Sequence, residues 1–165
     1  MKTPLFRLYE LSQGRIMLTR KTKVSEHFNL GELACKDPIL KGKPFISRLP
    51  ELYMLINFCD TLIYLEELRL YIDKPLILTS VFRDAIYNKK EGGVSKSSHV
   101  TFRAADIGNP YNTYVDYKRF YDKCEKVAEH CEKVHGLFIR LGKYKNDGFV
   151  HVDTDRSKFA KRWEK

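Results

Sequence analysis

Two histidines and one aspartate carry the first chemical signal in this chain. His99 lies in Ser97-Ser98-His99-Val100-Thr101-Phe102-Arg103, Asp106 follows in Ala104-Ala105-Asp106-Ile107, and His151 sits in Phe149-Val150-His151-Val152-Asp153. Two imidazoles and a carboxylate are a complete protein ligand set for a catalytic zinc ion, with one position kept for water. Zinc in such a site lowers the pKa of bound water from 15.7 to about 7, which supplies hydroxide at neutral pH. A single anionic ligand leaves the centre positively charged, so it remains a Lewis acid for a peptide carbonyl.

The spacing dictates what must position these groups. On a continuous helix, residues seven apart share a face but stand about 10.5 Å apart along the axis, too far to share an ion. His99 and Asp106 converge only if a loop hands over to an extended segment, and Ala104-Ala105-Asp106-Ile107 reads as that short buried strand. His151 lies in a second strand-like run, apolar on both sides. The expected geometry is a metal held between neighbouring strands. The structural alternative for the same residues puts His151 on a polar strand face and makes Asp106 a cap.

Around these runs, Pro50 suits the first position of a helix, where its missing N–H has no partner to lose. Leu52, Ile56, Cys59 and Ile63 then recur at three- and four-residue steps and predict a buried stripe running to about Tyr71. Pro75 stops the pattern, and residues 76–79 follow as a buried strand. A second helix is expected from about Thr113, with Tyr117, Phe120, Cys124, Val127 and Cys131 on its inner face. Residues 137–141 and 149–153 read as strands, joined through a Lys-, Asn- and Gly-rich hairpin turn over 142–148. Helices on one side of a small antiparallel sheet make an α+β domain. At 165 residues the chain is one domain, with 1–25 an irregular lead-in and 26–165 the domain proper.

Composition narrows the partners. Thirty Lys plus Arg against 21 Asp plus Glu give a net charge of +9, which favours anionic partners such as nucleic acid, acidic lipid or bacterial envelope polymers. No zinc finger, arginine-rich arm or aromatic-interleaved RNA motif accompanies the charge, so specific nucleic-acid recognition is not expected. Cys35, Cys59, Cys124 and Cys131 form no C-x-x-C pair and read as small buried hydrophobes. No stretch approaches the roughly 20 apolar residues that span a bilayer. The first residues, Met1-Lys2-Thr3-Pro4-Leu5-Phe6-Arg7, lack the apolar core of a secretory signal, so synthesis in a cytoplasm is expected.

Several motifs occur together in a fixed order. They are Leu78-Thr79-Ser80-Val81-Phe82-Arg83, Asn88, Gly92-Gly93, Ser97-x-His99, Ala104-x-Asp106 and Gly148-Phe149-Val150-His151-Val152-Asp153-Thr154. This order resembles the zinc D-alanyl-D-alanine carboxypeptidases, a family of peptidoglycan peptidases that includes phage endolysins and is related to the hedgehog-type zinc fold. Phe28-Asn29-Leu30-Gly31-Glu32-Leu33-Ala34-Cys35 resembles the segment that opens these domains, and Arg162-Trp163 their usual ending. The resemblance implies a zinc metallopeptidase, with one Zn2+ per chain on His99, Asp106 and His151, that hydrolyses a peptide bond in bacterial peptidoglycan stem peptides. It further implies a monomeric phage lysis enzyme that acts on the wall after release from the cytoplasm. The other reading it allows is a zinc-bound but non-catalytic wall-binding or structural domain.

The resemblance also distributes roles. Arg83 occupies the position from which the family holds substrate, and a guanidinium offers a planar fork to a carboxylate or oxyanion; a surface ion pair with Asp84 or Glu91 is its structural alternative. Ser80 is expected to fix the strand end beside the substrate. Many relatives carry Glu or Asp three residues before the second zinc histidine, where this chain has Gly148. Asp147 and Asp153 are therefore both candidates for the general base, and Asp153 is also a candidate to orient a ligand histidine. Tyr144 is placed to donate to an oxyanion, or is a sheet-edge aromatic. Phe102 stands where relatives usually have Gly, so the turn is built differently or Phe102 forms part of the substrate pocket.

Overall fold

The computed structural model describes residues 9–11, 13, 18–110, 114–159 and 161–165. Among them, α-helices are Leu30–Leu33 (α1), Cys59–Ile72 (α2), Ala85–Lys90 (α3) and Tyr114–His135 (α4), besides the helical residues 9–11. Five strands are Ile77–Ser80 (β1), Ala104–Gly108 (β2), Arg140–Tyr144 (β3), Phe149–Asp153 (β4) and Arg162–Glu164 (β5). The domain is α+β, as the sequence predicts.

The segment after Pro50 differs from expectation. It begins as a 3-10 helix over Leu52–Phe58 before passing into α2. Three residues per turn rotate the inward face relative to an α-helix. Burial therefore falls on Leu55, Phe58, Leu62, Leu65 and Leu68, whereas Ile56 is exposed. Of the expected stripe, Cys59 alone is fully buried. The stripe on α4 is as expected, with Tyr117, Phe120, Cys124, Val127 and Cys131 all buried. Tyr64 Oη donates to the Cys124 carbonyl at 3.1 Å and ties α2 to α4 inside the core. All four cysteines are free thiols and buried.

The strands form one sheet in the order β1-β2-β4-β3-β5. Every pairing is antiparallel except β3 with β5. That parallel edge strand is an addition to the expected antiparallel sheet. β3 also starts later than the predicted 137–141 run, so Gly142 lies within the sheet and the turn narrows to 145–148, ending at Gly148 with φ +70°.

Alternation along the strands divides their residues between two environments. Ala105, Ile107, Leu141, Val150 and Val152 enter the same apolar core as Leu62, Leu65 and Phe120. On the other face the register aligns one residue from each strand: Ser80 opposite Asp106, Asp106 opposite His151, His151 opposite Gly142, and Gly142 opposite Trp163. This transverse row forms the floor to which the loop before β2 adds His99.

Phe102 corrects an expectation. It adopts φ +56°, the left-handed backbone that glycine takes easily, and its ring is fully buried. The ring stacks on Phe58 at 4.7 Å and meets Phe82 edge-on at 5.9 Å. Phe102 therefore belongs to the core and not to a substrate pocket. A left-handed backbone costs roughly 1–2 kcal/mol for a residue bearing Cβ, and burying a Phe side chain stabilises by about 1.5–3 kcal/mol. Burial thus covers the strain.

Of the expected lead-in over 1–25, residues 1–8, 12 and 14–17 lie outside the described residues. Residues 9–11 are helical, and Leu11 and Val24 are buried in the common core. Among the described residues, no helix is long and apolar enough to cross a membrane.

Candidate metal centre

His99, Asp106 and His151 come together. His99 Nε2 lies 3.2 Å from Asp106 Oδ1 and 3.2 Å from His151 Nδ1, and His151 Nδ1 lies 2.8 Å from Asp106 Oδ1. Tetrahedral zinc with bonds of about 2.0–2.2 Å has edges of roughly 3.3–3.6 Å between ligand atoms. The three donors therefore need to part by only a few tenths of an ångström to hold zinc. Asp106 and His151 meet because they are register partners on adjacent strands, and the loop before β2 delivers His99 above them.

Each ligand is aimed by a group behind it. His99 Nδ1 donates to the Val81 carbonyl at 2.6 Å, which leaves Nε2 unprotonated toward the site. His151 uses the opposite nitrogen: Nε2 bonds Asp153 Oδ2 at 3.0 Å and Nδ1 faces the other ligands. Asp153 is fixed in turn by Arg140 Nη1 at 3.3 Å and by the Asp155 N–H at 3.0 Å. The second oxygen of Asp106 accepts from Arg83 Nη2 at 2.6 Å, and Arg83 Nε donates to Ser80 Oγ at 2.7 Å. Arg83 thus pairs with Asp106 and not with Asp84 or Glu91; Asp84 instead caps α3 through the Tyr87 N–H at 2.8 Å.

Burial and charge prepare the donors for a cation. Burial pushes the His99 imidazole down, toward the neutral form a metal requires. For Asp106, burial works to raise the carboxyl, but the two imidazoles outweigh it and hold it well below the usual range. Burial likewise pulls His151 down, yet Asp106 and Asp153 prevail and leave it raised. Asp153 is lowered despite its burial, through His151, the Asp155 N–H and Arg140. The two carboxylates around His151 thus favour positive charge at this point, which a bound cation would supply.

The donors line a cleft whose wall also includes Gly92-Gly93-Val94, Tyr144, Phe149 and Trp163. Tyr144 stacks on Phe149 at 4.5 Å and stands 6.2 Å from the His151 ring. Asp147 is exposed in the turn and is not among the lining residues. Among the described residues, the carboxylates on the lining are Asp106 and Asp153, both hydrogen-bonded as above.

The sequence reading missed Arg140, Lys158 and Trp163. Arg140 and Gly142 share the period of two with Tyr144, a signal that was available once β3 was placed. Trp163 packs 5.5 Å from His151 and 4.8 Å from the Arg140 guanidinium. A Cβ on Gly142 would lie 2.5–2.7 Å from the Trp163 indole, so the glycine admits that ring. Lys158 Nζ donates to Ser98 Oγ at 2.6 Å.

A family model described as Peptidase M15 matches residues 26–153. The chain belongs to the peptidase M15 family. Peptidases of the M15 family are zinc-dependent and act on peptidoglycan, and the His-Asp-His cluster fits such an ion in donor type and spacing. No curated protein matches the chain.

Proposed function

We propose that this M15 peptidase hydrolyses a peptide bond in anionic stem peptides of the bacterial wall, with His99, Asp106 and His151 holding one zinc ion. The observation that carries the reading is the convergence of their three donor atoms to within 3.2 Å. Zinc, when bound, supplies a Lewis acid and an acidified water. Arg83, held by Ser80 and Asp106, presents a fixed guanidinium to a substrate carboxylate or to the oxyanion. Tyr144, also on the lining, supplies a further hydroxyl for the oxyanion. Asp153 acts as a positioning residue, because it reaches the reaction through His151; Asp147, exposed in its turn, has no part in this assignment. The lining carries Arg83, Arg140, Lys158 and Lys165 against two carboxylates, which supports a substrate with carboxylates near the cleaved bond. The net charge of +9 supports work at an anionic wall, the setting of a phage lysis enzyme.

One observation favours a second reading, a zinc-bound domain that binds the wall without cutting it: both lining carboxylates are already hydrogen-bonded, and neither is spare for proton transfer. Incubation with peptidoglycan, with and without chelator, separates the two. Cleavage that disappears with chelator supports the peptidase, released D-alanine marking a carboxypeptidase and new amino termini an endopeptidase. Full zinc occupancy with no cleavage overturns it in favour of wall binding. Replacing His99, Asp106 or His151 by Ala should remove both zinc and turnover, whereas Arg83→Ala, loaded at saturating zinc, should hold the ion and lose turnover.

A further inference from the structure

A second group of metal-binding side chains lies outside the cleft. Glu67 on α2 and His130 and His135 at the C-terminal end of α4 bring one donor atom each to within 4.8 Å of the others. We propose that these three residues form a second zinc site, separate from the M15 centre, that clasps α2 to α4.

The donor chemistry is again two imidazoles and one carboxylate, which suits zinc with solvent in the remaining position. His135 Nε2 stands 3.2 Å from Glu67 Oε1, close to the edge of a zinc tetrahedron. The His130 and His135 rings lie 6.2 Å apart and nearly perpendicular. Gly136, at φ +65°, ends α4 immediately after His135. The free carbonyls of a helix C-terminus favour a cation in the last turn, where His135 sits, with His130 just over one turn before it. Glu67 and the histidines are held near one another before any ion arrives, because the buried Tyr64–Cys124 hydrogen bond fixes α2 against α4. Without a metal, the half-exposed Glu67–His135 contact contributes little to stability. Lys126 shares the adjoining surface hollow with Glu67 and His130, and its charge opposes a cation. The second ion is therefore held more weakly than the first.

Metal content of the full chain, measured after dialysis against buffered zinc at increasing free concentration, tests this. Wild type should take up a first and then a second equivalent, the second accompanied by a further rise in melting temperature. The His130→Ala/His135→Ala double variant should stop at one equivalent, lack the further rise and keep its peptidase activity. His99→Ala should retain the weaker equivalent, which separates this site from the catalytic one. A wild type that saturates at one equivalent overturns the second site, as does a double variant that still binds two.

Discussion

Behind each side chain of the His-Asp-His cluster stands a group that selects which of its atoms faces the other two. Val81 does this for His99, Arg83 for Asp106 and Asp153 for His151. A carboxylate behind a ligand imidazole both fixes its tautomer and raises its basicity, and losing such a partner typically lowers metal affinity about 10–100-fold. Asp153→Asn should therefore weaken zinc binding by about that factor while the chain still folds, as read by competition against a chelator of known affinity. An unchanged affinity would remove Asp153 from the support of His151. The three side chains stood out in the sequence because their types suit zinc, their spacing demands strands and the motifs around them keep the family's order. Their supports did not, since the Val81 carbonyl leaves no mark in residue type, and Arg140 looks like any other basic residue until its strand is aligned with Asp153.

At the level of elements, the aligned row Ser80, Asp106, His151, Gly142 and Trp163 explains why β3 needs a glycine in its middle. Gly142→Ala places a methyl group against the indole, well inside contact distance. Trp163 must then leave its place beside His151 and Arg140. Turnover should fall with zinc stoichiometry retained, and the tryptophan emission should shift to longer wavelength as the ring becomes wetter; an unmoved spectrum would contradict the packing. The β3–β4 pair could be anticipated from the hairpin turn, and β2 beside β4 from the donors each contributes to one site. The parallel β3–β5 pair could not, because β5 is three residues long and its place depends on contacts formed across the whole domain. The helix after Pro50 was displaced for a local reason: its sequence is apolar on several faces, so the switch from 3-10 to α geometry alone decides which face turns inward.

For the molecule as a whole, the first described segments are fastened to the helices by charge as well as by apolar packing. Glu66 on α2 accepts from the His27 N–H at 2.9 Å and meets the His27 imidazole at 2.5 Å. Burial works to raise this carboxyl, but the hydrogen bonds outweigh it and its pKa is lowered. A carboxylate depressed on folding stabilises the native state above its unfolded pKa of about 4.3, and the contribution is lost as pH falls through the folded value. Stability measured by urea unfolding should therefore drop on acidification below about pH 4.3, and Glu66→Gln should flatten that acid limb. An identical acid limb in the variant would show that the contact does not matter to folding.

The transverse row has one more consequence. Neighbouring positions on a strand point to opposite faces, so a slip of β4 by one place would turn His151 into the hydrophobic interior and offer valine to the cleft. Chains mispaired in this way gain nothing from added zinc, because an ion cannot recruit a donor that faces away. In a refolded or freshly made preparation, catalytic output per mole of protein therefore counts the molecules whose strands have found their proper partners.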